Sequence, residues 1–236
     1  MTAPAVEAGI VSPLALRLAS HRGLAADDLA RIDRSLGPTV LTPANSAVAI
    51  SDTDDAVLAI VEGWVSHSVA MIDGRRQIVA VTVTGELLDL AEARASAVTL
   101  TAVGPVRTRS AKALQQRVAG LPADRPLAQA WNDQHLARRA SEIRHLVRLR
   151  RMSAYERMAD FLLDISDRLQ AAGVATGREM RCLFTQEMLA DHLGLSNVHV
   201  NRTLQELRRE RLIHYGGGVV RFPDRTRLQG VPPNWA

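Results

Sequence analysis

A single cysteine, Cys182, rules out any disulfide within the chain, and with it a four-cysteine iron–sulfur cluster or zinc site. No apolar run approaches the roughly 18–20 residues that a membrane span requires. Residues 1–23 contain no basic stretch leading into an apolar core, so no secretory signal is expected and the cytoplasm is the expected compartment. Lysine is almost missing: Lys112 is the only one, and arginine carries the positive charge. The motifs of common enzymes are absent as well. There is no phosphate-binding loop, no dinucleotide fingerprint and no nucleophile elbow, and no candidate base is paired with a nucleophile. Glu86, Asp89 and Glu92 make an acidic cluster that reads as a solvated loop. Neither catalysis nor a bound cofactor or metal is expected. His67 is a conceivable haem ligand, but an isolated histidine on a strand is more often structural.

What is present points to a folded protein of modest size. At 236 residues and 47% hydrophobic content, the chain suits two modest domains, or one domain with a long connector. Its charge is unevenly placed. Residues 1–120 hold eleven basic and twelve acidic side chains, whereas residues 121–236 hold eighteen and thirteen. An excess confined to the second half is the footprint expected if only that half meets phosphate.

Residues 24–36 place Leu24, Leu29, Ile32 and Leu36 at helical spacings before Gly37-Pro38. From residue 40 to about 106, short runs such as AVLAIVEGW, WVSHSVAMI, RQIVAVTV and SAVTLTAV are rich in Val, Ile and Thr. MIDGRRQIV reads as a hairpin turned at Asp73-Gly74, and the spacing of the runs predicts an antiparallel sandwich or roll. Residues 109–119 read as a helix. After a break at 121–126, Pro126 suits the first turn of a long helix reaching about residue 151. Within it Leu136, Ala140, Ile143 and Val147 follow the 4-3-4 spacing of a two-stranded coiled coil, with Leu127 and Trp131 on an offset stripe. All six are candidates for a dimer interface; packing against the helix's own domain is the alternative. Ser153 and Glu156 then form a capping box ahead of a core stripe of Met158, Leu162, Ile165 and Leu169, which Gly173 ends.

The most informative stretch is FTQEMLADHLGLSNVHVNRTLQELRRERLI. Thr185 caps a short helix packed through Met188, Leu189 and Leu193, and Ala190 is small where two helices must cross closely. Gly194 permits a left-handed turn, Leu195 plugs the corner, and Ser196 caps a second helix whose inward face is Val200, Leu204 and Leu207. Four constraints at fixed offsets predict a helix-turn-helix, with some other helical hairpin as the alternative. At about 100° per residue, Val198, Asn201, Arg202, Gln205 and Arg209 face outward. On a duplex, Val198 could meet a thymine methyl, Asn201 an adenine and Arg202 a guanine; a stray valine beside surface arginines is the bland alternative. Asn197, at the helix start, lies within reach of a base or a phosphate. Leu212–Tyr215, Gly216-Gly217-Gly218 and Val219–Phe222 then read as a hairpin wing, in which Arg221 and the glycine amides suit backbone phosphates.

Taken together, the chain resembles the Crp–Fnr superfamily of bacterial regulators. The resemblance rests on GWVSHSVAMIDGRRQIVAVTVTGELLDL, on RRMSAYERMADFLLDI and on LADHLGLSNVHVNRTLQELRRERLI. It implies an α+β chain: an N-terminal antiparallel β-roll of cyclic-nucleotide-binding type over 1–120, a dimerisation helix over 121–151 and a winged helix-turn-helix over 152–236. By resemblance, Asn197, Val198 and Arg202 occupy the family's principal base-reading positions, and Thr185 and Gln186 its phosphate contacts. The candidate DNA-facing set is therefore Thr185, Gln186, Ser196, Asn197, Val198, Asn201, Arg202, Gln205 and Arg221. Well-known members carry glutamate where this chain has Val198, so its operator half-site should differ from theirs. The implied function is sequence-specific DNA binding as a homodimer on a partly palindromic operator, with RNA polymerase a further candidate partner. The sensor half departs from the pattern. Asp89-Leu90 stands where nucleotide binders carry a Gly-Glu pair, and Arg94 is the one weak candidate for a phosphate ligand. Cyclic-nucleotide binding is accordingly not expected, and the signal is not legible. A small-molecule receptor acting on a protein partner is the rival reading.

Overall fold

The computed structural model describes residues 11–48 and 57–233. Part of the stretch read for a secretory signal lies outside these residues, as does Ala56, the first residue of AVLAIVEGW. Helix α1 (Pro13–His21), which the sequence reading did not anticipate, begins behind Ser12, whose hydroxyl accepts the Ala15 N–H. Helix α2 (Ala26–Arg34) forms the centre of the helix expected over 24–36, with Asp27 and Asp28 at its positive end.

Strands β1 (Thr39–Thr42), β2 (Val57–Ala70), β3 (Arg76–Thr82) and β4 (Leu87–Asp89), helix α3 (Leu90–Ala95) and strand β5 (Thr99–Ser110) follow. They build an antiparallel sheet in the order β1-β5-β2-β3, and β4 pairs with the first residues of β2. The expected hairpin joins β2 to β3, with Gly74 at φ +84°. The runs AVLAIVEGW and WVSHSVAMI are not two strands but parts of one, bent at Gly63. The φ there is +88°, and an added Cβ would lie 2.5 Å from the Pro105 carbonyl oxygen, so only glycine fits. Registry with β5 shifts between Ile60 and Glu62 and again between Glu62 and Trp64, across Gly63, as at a bulge. Strand β5 runs on to Ser110, so the helix expected from 109 begins later, as α4 (Lys112–Ala119). Arg109 instead pairs with Thr39 of β1, and its guanidinium donates to the carbonyls of Gly37 and Leu36.

Helix α5 (Pro126–Arg151) carries Pro126 in its first turn. Its opening turns face inward: Leu127, Ala130 and Trp131 pack with Leu14, Leu18 and Leu114. Leu127 and Trp131 are therefore removed from the expected dimer seam, because α1 and α4 cover that side of the helix within the same chain. Further along, the apolar residues face out. Leu136 is 56%, Ile143 54% and Leu146 62% exposed; Ala140 is exposed too, and Val147 half-buried.

Helix α6 (Ala154–Ala171) opens with the full capping box, Ser153 N–H to Glu156 Oε2 at 2.7 Å and Glu156 N–H to Ser153 Oγ at 3.3 Å. Met158, Leu162, Ile165 and Leu169 are buried, and Gly173 leaves the helix at φ +72°. The chain ends with β6 (Glu179–Arg181), α7 (Gln186–Leu193), α8 (Asn197–Arg209), β7 (His214–Gly216), β8 (Val219–Arg221) and α9 (Arg225–Gln229). The second sheet has the order β6-β8-β7. A single apolar cluster runs from Trp64, Ile78 and Val81 of the first sheet into α6, α7 and α8. Trp64 meets Phe184 edge-on, with ring centroids 5.6 Å apart.

Charged residues also bridge the two halves. Glu86 is buried rather than on a solvated loop, because arginines from two distant helices converge on it. Arg168 donates from Nε to Oε1 at 2.8 Å and from Nη2 to Oε2 at 2.6 Å, and Arg17 Nη2 lies 3.0 Å from Oε1. The Val83 N–H donates to Oε2 at 3.0 Å. Nearby, Asp160 accepts from Arg144 and Arg148, and Asp164 Oδ2 lies 3.6 Å from both Arg148 and Arg168. Burial alone would raise the Glu86 carboxyl, but Arg168 and Arg17 overcome it and hold the pKa at about 2, against an ordinary 4.5. A depressed pKa contributes stability that is present above about pH 4.5 and is lost as the pH falls towards 2. Glu86→Gln leaves two buried guanidinium groups facing a neutral amide, an expected loss of about 3–5 kcal/mol at pH 7. Urea unfolding at neutral and acid pH checks this: the gap between wild type and variant should narrow between about pH 4.5 and 2.

Candidate nucleic-acid interface

The interface is built on α7 and α8. Thr185 precedes α7, and its hydroxyl accepts the Met188 N–H at 3.2 Å. Gly194 ends the helix in the left-handed region at φ +62°, ψ +42°, and its neighbours Leu149 and Arg157 stand at ordinary contact distance from where a Cβ would be. The glycine is needed for its backbone angle rather than for space. Arg157 Nη1 donates to the Leu193 carbonyl at 3.0 Å, which satisfies one of the acceptors left open at the helix end. Leu195 is half-buried against the core, as expected of the corner residue. Ser196 caps α8 by accepting the His199 N–H at 3.3 Å, and the same hydroxyl lies 2.9 Å from His199 Nδ1.

Val200, Leu204 and Leu207 are buried, which turns the opposite face of α8 outward. Val198 is 77% exposed, a large apolar side chain in water, and Asn197, Asn201, Arg202, Gln205 and Arg209 are exposed with it. Gln186 from α7 joins Asn197, Val198, Asn201, Arg202 and Gln205 around one shallow depression. Thr185 and Ser196 are exposed caps outside that depression, and Arg209 lies 3.7 Å from Glu206.

Arg221 stands apart from this group. It lies on β8 and ion-pairs with Glu179 of β6 at 3.0 Å, so much of its charge is answered locally. Gly217 and Gly218, at φ +59° and +72°, make the turn between β7 and β8. Two fastenings of the interface are not legible in the sequence. Arg208 of α8 donates to the Tyr215 carbonyl and lies over its ring at 5.5 Å, tying the wing to the helix. The Tyr155 hydroxyl donates to Glu210 Oε2 at 2.6 Å, tying α6 to the far end of α8.

Helix α7 is also docked on the first sheet. Arg76 Nη2 reaches Asp191 Oδ2 at 2.6 Å, and Gln77 Nε2 donates to the Asp191 carbonyl at 2.5 Å. His192 Nδ1 lies 3.1 Å from the Ile78 carbonyl oxygen, and its ring stacks on His145 of α5 at 4.2 Å. Burial holds His192 well below the usual imidazole pKa, with His145 and Arg148 adding to the effect.

In the sensor half, Asp89 caps α3 by accepting the Glu92 N–H at 3.0 Å, Leu90 is buried, and Arg94 is half-buried on the same helix. His67 is buried, with Nε2 2.8 Å from the Thr82 hydroxyl; burial, with Arg138 nearby, lowers its pKa to about 3. Among the described residues no group of three or more His, Cys, Asp and Glu side chains is placed to hold a metal ion, and no helix is long and apolar enough to cross a membrane.

Comparison with known proteins gives three kinds of match. A family model described as a Crp-like helix-turn-helix domain matches residues 156–231. The nitrogen fixation regulation protein FixK of Azorhizobium caulinodans is 30% identical over 223 residues, which take in 88% of this chain and 82% of that protein. FixK2 of Bradyrhizobium japonicum has a similar structure, with a TM-score of 0.63 at 23% identity over 84% of this chain and 98% of that one. A Crp/Fnr-family transcriptional regulator from Thermus thermophilus gives 0.57 at 20% identity, over 82% and 97%.

Proposed function

Since this chain belongs to the Crp–Fnr family of DNA-binding transcriptional regulators, we propose that it reads a partly palindromic operator as a homodimer, through the outward face of α8. The observation that carries this reading is the depression around Val198, Asn201, Arg202 and Gln205, which combines an exposed apolar side chain with amide and guanidinium groups. That mixture suits a major groove, where thymine methyls lie beside hydrogen-bonding base edges. In this reading Asn201 meets adenine, Arg202 meets guanine, and Asn197 with Gln186 contacts the base edges or phosphates flanking them. Thr185, Ser196 and the glycine amides of the wing take phosphates, with Arg221 contributing less because Glu179 shares it.

The second copy is proposed from α5. Leu136 and Ile143 stand one heptad apart, with Ala140, Leu146 and Val147 on the same side, and their exposed apolar surface suits a parallel pairing with its own mate. Two-fold symmetry would set the half-sites about one helical turn apart. Its place is then the bacterial cytoplasm, with RNA polymerase its second macromolecular partner at a promoter.

Selection of bound duplexes from a random pool tests the reading. An inverted repeat with that spacing is expected; recovery of unrelated sequences at one shared affinity would contradict it. Val198→Glu is expected to change the selected base at one position of each half-site towards cytosine, whose amino group a carboxylate can accept. Repeating the selection with the variant checks this, and an unchanged motif would place Val198 away from the bases.

A further inference from the structure

We propose that Arg150 and the partner's Arg150 together form, on the two-fold axis, a binding site for the phosphates that border the operator's minor groove between its two half-sites. This rests on the reading of α5 as the dimer seam and of α8 as the DNA-contacting helix.

Spacing places the residue. Leu136, Ala140, Ile143 and Val147 follow the 4-3-4 repeat, and the next step of three is Arg150, one heptad beyond Ile143. The apolar seam therefore ends, in the last turn of α5, in an exposed arginine that would face its own counterpart. A charged residue on the seam costs a coiled coil stability, and two like charges this close repel. The neighbouring arginines differ. Arg148 is buried against Asp160 and Asp164, whereas Arg150 and Arg151 are exposed and have no carboxylate partner among the described residues. Basic groups are favoured at the negative end of a helix, but Arg148 and Arg151 already serve that end from positions off the seam.

Position supplies the anion. Leu149 stands 3.4 Å from where a Cβ on Gly194 would be, and Arg157, just past α5, donates to the carbonyls of both Met152 and Leu193. The last turn of α5 is thus fastened to the turn that leads into α8. In a parallel pair the two ends of α5 meet on the axis, between the two reading heads. Two helices in successive major grooves on one face of a duplex leave the minor groove facing that axis. Its bordering phosphates lie opposite the arginine pair. Glu156, the nearest carboxylate in sequence, is turned instead to the Ser153 N–H. The duplex then brings the negative charge that the seam lacks, so operator and dimer stabilise each other.

Arg150→Gln removes the charge from an exposed position, so the fold should stand, and at about 50 mM salt it should have two effects of opposite sign. The dissociation constant of the free dimer, from sedimentation, should fall by about threefold. Affinity for the selected operator should fall by about 2- to 30-fold, the range for two exposed ion pairs, and the salt slope by about two. Uncharged methylphosphonates in place of the phosphates bordering the central minor groove should weaken binding by wild type and by Arg150→Lys, and leave Arg150→Gln unaffected. An equal loss in Arg150→Gln, a weaker free dimer in that variant, or operator affinity and salt slope unchanged by it would overturn the proposal. If wild type is still a dimer that prefers its operator, such a result contradicts only the arginine pair. A monomeric wild type, or one that binds a scrambled duplex equally well, contradicts the reading of α5 or α8 and the arginine site with it.

Discussion

Arg202→Ala is expected to weaken binding to the selected operator by about 30-fold to 10⁴-fold while leaving the fold intact. A good bidentate contact to a base contributes about 1–3 kcal/mol, and a symmetric dimer makes it twice, for about 2–6 kcal/mol in all. The side chain is exposed on α8, opposite the buried Val200, Leu204 and Leu207, so its removal opens no cavity. Stability should stay within about 0.5 kcal/mol of wild type. Fluorescence anisotropy on operator and scrambled duplexes distinguishes the possible roles. If Arg202 reads a base, only the operator affinity falls. If it touches phosphate, both affinities fall together and the salt slope drops by about two, one for each copy.

If α5 pairs with its mate as proposed, Ile143→Asp is expected to leave the chain monomeric at micromolar concentration. The side chain is 54% exposed in the single chain and lies between Leu136 and Leu146, which are exposed still further. Burying Ile143 against its mate contributes about 1.5–3 kcal/mol per copy, and the variant would bury two like charges in its place. The dissociation constant should rise by at least about 10³-fold, and light scattering would report the monomer mass. Operator affinity should fall with it, since one head contacts only one half-site. A variant that stays dimeric would move the interface to another face of the molecule.

The helix-turn-helix was legible in the sequence because each of its determinants is local. Thr185 and Ser196 are caps, Gly194 is a left-handed turn, and Val200, Leu204 and Leu207 repeat at helical spacing; each constrains only its near neighbours. The two runs within β2 looked separate because Gly63 interrupts them, and a bulge cannot be told from a chain break until β5 is in place. Leu127 and Trp131 show a different limit. Spacing identifies an apolar stripe but not which surface covers it, and here α1 and α4 cover it before a second copy can. Glu86 was out of reach for a related reason. Its acidic neighbours in sequence suggest solvent, whereas its partner Arg168 is 82 residues away, and no periodicity encodes a contact of that kind. The same holds for the docking of α7 on β3, where Arg76 and Gln77 meet Asp191.

The central claim is that α8 reads base sequence. The most direct test is the ratio of affinities for the selected operator and a scrambled duplex of equal length, measured across a range of salt concentrations. Tighter operator binding by at least about 10³-fold at physiological salt, with both affinities falling as salt rises, is the predicted result. A ratio near one at every salt concentration would contradict it.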